Sequence, residues 1–168
     1  MRILIATDAW RPQVNGVVRS LESMAEAAGP LGASIDFITP RDFNCLPMPT
    51  YPEIGLALAT SGAVARKLAD GYDHVHIATE GPVGLAARAC CRRSRRLFTT
   101  SFHTRFPEYV HARARVPVDW SYAYLRWFHN GGAGAMVSTE SLAGELTARG
   151  FQRLLRWSRG VDHEIFKP

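Results

Sequence analysis

With 168 residues, 46% of them hydrophobic, the chain can bury one real core, which suits a single compact domain. Its formal net charge of +5 is carried almost wholly by arginine, grouped at 92–96, 113–115 and 149–159, so its partners are phosphates, acidic lipid surfaces or nucleic acid unless these groups form a solvated face. Cys45, Cys90 and Cys91 are odd in number and lack C-x-x-C spacing, so neither a disulfide framework nor a zinc site is suggested and a reducing compartment is expected.

The predicted elements alternate from the start. "RILIAT" (2–7) reads as a strand ending at Asp8, too short an apolar run for a signal peptide. "NGVVRSLESMAEAAGPLG" carries Val17, Val18, Leu21, Met24, Ala25 and Ala28 at helical spacing, with Asn15 as N-cap and Gly29–Pro30 as the stop. A strand over 34–40 follows, then an irregular loop over 40–52 where Pro47, Pro49 and Pro52 interrupt pairing, and a short strand in "EIGLAL". Helix 61–70, strand 74–78, helix 83–93 and strand 96–102 continue the alternation. Helices over 105–114 and 118–129, strand 134–138, helix 140–149 and strand 153–158 complete it. No stretch approaches the roughly 18 apolar residues of a membrane span, so the protein is read as soluble or resting on a surface.

Strands that alternate with helices predict an α/β fold, a parallel sheet with helices on both faces. Ligands of such sheets bind beyond the carboxyl ends of the strands. Asp8 to Gly16, Thr79 to Pro82, His103 to Arg105 and Ser138 to Ser141 then share one rim.

Four segments carry candidate chemistry. In "TDAWRPQVNGVVRS", Gly16 at a loop-to-helix junction lets backbone N–H groups approach an anion, although Asn15–Gly16 can equally be a plain cap. No dinucleotide fingerprint and no P-loop occurs. Glu80 in "ATEGPVG" can accept hydrogen bonds from sugar hydroxyls, or can serve the first turn of the following helix. In "SFHTRF", His103, Thr104 and Arg105 stand at a strand end, where an imidazole, a hydroxyl and a guanidinium suit a polar or anionic ligand; Thr104 as N-cap is the structural alternative. His74 and His76 lie inside a strand and read as structural, whereas His111, His129 and His163 show no partner pattern. Trp120, Tyr124 and Trp127, spaced i, i+4, i+7, form a stripe that reads as core packing or as a membrane-interface contact.

Taken together and in order, "TDAWRPQVNGVVRSLE", "HIATEGPVGLAAR", "FTTSFHTRFPEYV", "YAYLRWFH", "VSTESLAGELTARGF" and "RWSRGVDHEIFKP" closely resemble the N-terminal half of GT-B glycosyltransferases of family 4. Within the family, the resemblance is to bacterial GDP-mannose-dependent α-mannosyltransferases and sulfoquinovosyldiacylglycerol synthases, and it runs over essentially the whole chain.

The resemblance implies a Rossmann-like acceptor domain over 1–168 and retaining transfer of a hexose, mannose above all, from a nucleotide sugar such as GDP-mannose to a lipid-linked or glycan acceptor. It sets Gly16 against the donor diphosphate, with Asn15 beside it and Arg159 of "RGVD" near the domain junction, and His103 at the reaction centre. Glu80, Thr104 and Arg105 become acceptor- or sugar-facing. The donor-gripping domain, with the family's E-x7-E motif, is expected on a C-terminal domain or a partner chain, so the 168 residues alone are expected to be inactive. No metal cofactor is indicated, because no Asp-x-Asp occurs. Expected surroundings are the cytoplasm and an anionic inner membrane face. Nucleic acid is not an expected partner, since no recognised motif supports it. The rival readings are a non-catalytic lipid- or sugar-binding or assembly module, and one subunit of a split transferase.

Overall fold

The computed structural model describes residues 1–13, 15–48, 51–103 and 106–157. The described elements run β1 (Arg2–Ala6), α1 (Gly16–Ala28), β2 (Ser34–Ile38), β3 (Cys45–Met48), β4 (Tyr51–Ala57), α2 (Ser61–Leu68), β5 (His74–Ile77) and α3 (Pro82–Arg93). They continue with β6 (Thr99–Ser101), α4 (Phe106–Ala114), α5 (Val118–His129), β7 (Gly134–Val137), α6 (Glu140–Ala148) and β8 (Leu154–Arg156). Six strands form one parallel sheet in the order β2-β1-β5-β6-β7-β8. This is the predicted α/β architecture, a Rossmann-like sheet with helices on both faces.

The register follows from which side chains must be buried. In β1, Leu4 and Ala6 face α2 and α3, where they join Val64, Val75, Ile77, Val83, Ala87 and Phe98 in the main cluster. Ile3 and Ile5 face the other way and pack with Val17, Leu21 and Met24 of α1, beside Ile35 and Phe37 of β2. A strand covered on both faces reads as a continuous apolar run, and "ILIA" does. Beyond β5 the first layer passes to α5 and α6, where Phe102, Tyr122, Leu125, Val137 and Leu146 pack together. Burying each such side chain contributes about 1.5–3 kcal/mol.

Helix ends obey the expected chemistry. Asn15 Oδ1 accepts from the N–H groups of both Val17 and Val18 at 3.0 Å, so the N-cap of α1 is as predicted. Thr60 and Thr139 cap α2 and α6 through their hydroxyls.

One prediction fails. The loop expected over 40–52 contains a 3-10 turn, Pro40–Asp42, and β3, which pairs antiparallel with β4 as a separate two-stranded ribbon. Pro47 sits within β3 opposite Gly55. Proline is tolerated there because each strand of a two-stranded ribbon keeps a free edge.

Candidate functional site

The carboxyl ends of β1, β5, β6 and β7 form the predicted rim, and its framework is an aspartate. Asp8, just beyond β1, accepts from the N–H of Val83 at 2.8 Å, the N–H of Gly84 at 3.2 Å and the Thr79 hydroxyl at 2.8 Å. Its own N–H donates to Thr79 Oγ1 at 2.6 Å. One carboxylate thus joins the loop after β1 to the loop after β5 and caps α3, whose N-cap residue Gly81 has no side chain to do so. Burial pushes the Asp8 carboxyl up from its ordinary value, against the hydrogen bonds that hold it down. The fit demands small neighbours. A Cβ on Gly81 would stand 2.5 Å from the Asp8 carboxyl carbon, and one on Gly84 would run into the Thr79 carbonyl oxygen.

Glu80 is the next residue on this loop. It does not serve the first turn of α3, the position that Asp8 takes. Its carbonyl accepts from the Tyr124 hydroxyl at 2.5 Å, and its Oε1 lies 3.1 Å from His129 Nε2. His129 Nδ1 lies 2.8 Å from Thr100 Oγ1. A carboxylate oxygen accepts, so Nε2–H is the donor to Glu80; Nδ1 can then accept from the Thr100 hydroxyl, whose alternative acceptor is the Gly134 carbonyl at 3.5 Å. The imidazole side chain is 1% exposed and the carboxylate 25%. Among the described residues Glu80 Oε2 has no hydrogen-bond partner, so one oxygen is held by the ring and the other is not engaged. His129, for which the sequence shows no partner pattern, thus has two partners in the fold. A signal for it existed: Tyr122, Leu125 and His129, at i, i+3 and i+7, form the buried stripe of α5, and a buried imidazole needs partners.

At the start of α1, Asn15 is engaged as the cap, and Gly16 opens the helix with no acidic residue in the first turn. Beside it lies a concavity of about 400 Å³ edged by Arg11, Arg19 and Arg41. Arg11 pairs with Glu22 at 2.5 Å, and the other two guanidiniums have no hydrogen-bond partner among the described residues.

His103 follows β6 and leans toward the face that α1 covers. Its ring meets Trp157 edge-on at 6.2 Å, over a cavity of about 120 Å³ shared with Leu21, Met24, His76 and Ser101. His76 lies deeper, with Nδ1 2.8 Å from Thr99 Oγ1 and Nε2 2.8 Å from Ser101 Oγ. Burial first, then the charges of His103, His74 and His129, push its pKa down to about 3. The structure therefore brings Asn15, Gly16, Glu80 and His103 to one rim, but turns Glu80 toward the α5 layer and His103 toward the α1 face. Thr104, Arg105 and Arg159 lie outside the described residues. Among the described residues no group of His, Cys, Asp and Glu is arranged to hold a metal, and no helix is long and apolar enough to cross a membrane.

The aromatic stripe of α5 is not core packing throughout. Tyr124 turns inward, whereas Trp120 is 72% exposed and Trp127 is 52% exposed.

Comparison with known proteins adds a family match. The model of Glycosyltransferase Family 4 matches residues 14–165. A 136-residue alignment with sulfoquinovosyl transferase SQD2 of Arabidopsis thaliana is 26% identical and covers 76% of this chain and 26% of the relative. A 190-residue alignment with a GDP-mannose-dependent alpha-mannosyltransferase of Corynebacterium glutamicum is 24% identical and covers 100% of this chain and 45% of the relative. The chain thus spans less than half the length of either curated relative.

Proposed function

The chain belongs to Glycosyltransferase Family 4, and from that premise we propose that it supplies the acceptor side of a retaining hexosyl transfer. The donor is a nucleotide sugar, GDP-mannose by the name of one relative. The acceptor is a lipid-linked or glycan hydroxyl. A second domain, outside these residues, grips the nucleotide, and no metal is invoked.

The observation that carries the reading is the Glu80 carboxylate. A buried imidazole N–H holds Oε1 in place, and Oε2 makes no hydrogen bond among the described residues. A carboxylate already oriented by the protein loses little freedom when an acceptor hydroxyl donates to it, which favours binding of polyols. Gly16, with its N–H near a helix start and arginines beside it, suits the leaving diphosphate. His103 stands at the transferred sugar. Asn15 contributes by keeping the helix start in place, since its side chain is engaged as the cap. Thr104 and Arg105 face the acceptor and Arg159 the donor side, by resemblance.

The test uses the chain joined to its donor-binding domain, supplied with GDP-mannose and a membrane-lipid extract. Glu80→Gln is expected to raise KM for the acceptor about tenfold or more with KM for the donor unchanged, since a charged hydrogen-bond acceptor becomes neutral. His103→Ala is expected to lower kcat about a hundredfold. Normal turnover per folded molecule in both variants would overturn the assignment.

A further inference from the structure

Away from the rim, the outer faces of α3 and α5 meet in a groove. Two adjoining concavities, of about 630 Å³ and 420 Å³, share Arg92, Asn130 and Gly131. Arg88, Arg92, Arg95, Arg96, Arg126 and Arg153 line them, and no aspartate or glutamate is among the described lining residues.

These guanidiniums are anchored without being neutralised. Arg88 donates to the carbonyls of Phe128 at 3.1 Å and Trp127 at 2.9 Å, and stacks over the Trp127 ring at 3.7 Å. Arg153 donates to the Gly132 carbonyl at 3.2 Å and the Asn130 carbonyl at 2.6 Å, and Arg126 to the Arg149 carbonyl at 2.9 Å. Arg92, Arg95 and Arg96 make no side-chain hydrogen bond among the described residues.

Large apolar side chains project beside this charge. Trp120 is 72% exposed, Trp127 52% and Leu97 75%. Trp120, Ala123 and Trp127 fall at i, i+3 and i+7 and so share the outward face of α5. Clustered cations alone suit any polyanion. Cations edged by indoles suit the interface of a bilayer, where tryptophan sits at headgroup level and arginine meets lipid phosphates. In water, by contrast, the same exposed apolar groups are unfavourable.

We propose that the α3/α5 groove is a docking face for a bilayer containing anionic phospholipid, with its six arginines on the headgroup phosphates and Trp120, Trp127 and Leu97 at the interface. The inference stands apart from glycosyl transfer and is read out without it.

The test is sedimentation of the chain with vesicles of phosphatidylcholine, alone or mixed in equal parts with phosphatidylglycerol. Partition onto the mixed vesicles should be greater by about tenfold or more, fall steeply in high salt, and shift tryptophan emission to the blue. The variant Arg92→Gln/Arg95→Gly/Arg96→Gln should lose about tenfold or more of that binding. Arg41→Gln/Arg66→Gln/Lys67→Gln, with equal charge removed elsewhere, should keep most of it; the melting temperature of each variant is checked alongside. Equal binding to both vesicle types, equal losses in both variants, or binding to a polyphosphate with no preference for the mixed vesicles would each overturn the proposal.

Discussion

His129 and Glu80 meet at 3.1 Å across the rim, and the imidazole is the buried partner: it is 1% exposed, the carboxylate 25%. The ring is also enclosed by aromatic neighbours, with Phe128 at 5.4 Å, Phe102 at 5.8 Å and Phe151 at 6.0 Å between centroids. Its packing therefore belongs to the core, while its Nε2–H belongs to the site. His129→Ala is expected to cost about 3 kcal/mol in chemical denaturation, because it empties a packed position and strands Thr100 and Glu80. Glu80→Gln keeps a carbonyl oxygen for the ring and should cost less than about 1 kcal/mol. Equal losses in the two variants would mean that charge, not packing, holds the pair.

His76 makes stability depend on pH in one direction. The folded protein binds its proton only near pH 3, whereas an unfolded imidazole takes it near pH 6.5. Between those values the unfolded chain carries the extra proton, so acidification favours unfolding. This contribution is fully present above about pH 6.5 and falls by up to about 1.4 kcal/mol per pH unit toward pH 3. In His76→Gln that component should vanish, leaving a less stable protein with a shallower slope of unfolding free energy between pH 6 and pH 4, as urea titrations would measure. An unchanged slope would show that the ring is not held neutral.

The junction of β5 with α3 depends on the absence of two side chains and the presence of a third. At Gly84 a methyl group would meet the Thr79 carbonyl, which is backbone and cannot swing aside. Gly84→Ala should therefore cost more than about 3 kcal/mol or prevent folding. Asp8→Ala leaves the Val83 and Gly84 N–H groups without their acceptor and should cost about 2 kcal/mol. Hydrogen exchange should speed at those two amides before the rest of α3. Retention of their protection in Asp8→Ala would mean that another acceptor caps the helix.

Why some of this was legible and some not can be seen in individual residues. Asn15 and Gly29–Pro30 bracket α1 because capping and termination are local chemistry, readable without knowing what the helix packs against. The strand–helix alternation is legible for the same reason, since a parallel sheet needs a crossover for each strand. β3 was hidden by Pro47, whose tolerance depends on a partner strand rather than on its own sequence. The α5 stripe was placed out of phase: Trp120, Tyr124 and Trp127 repeat at helical spacing, but so do Tyr122, Leu125 and His129, and the second set is buried. Two overlapping stripes share one period, and only the neighbouring strands decide between them. The Glu80–His129 contact spans 49 positions, beyond any local rule.

Arg95 follows the C-terminus of α3 with φ of 55°, the left-handed region that favours glycine. The Arg96 N–H donates back to the Cys91 carbonyl at 2.8 Å, which closes the helix in the manner of a Schellman turn with Arg95 in its left-handed place. A side chain with a Cβ is strained there by about 1 kcal/mol, while glycine is not. Glycine also gains freedom in the unfolded chain, which offsets part of that relief. Arg95→Gly is thus expected to leave stability unchanged or raise it by up to about 1 kcal/mol, as chemical denaturation would measure. Arg95 also lines the α3/α5 groove, so its side chain adds charge there without being needed for the turn. A loss of more than about 1 kcal/mol in Arg95→Gly would instead give the side chain a structural role.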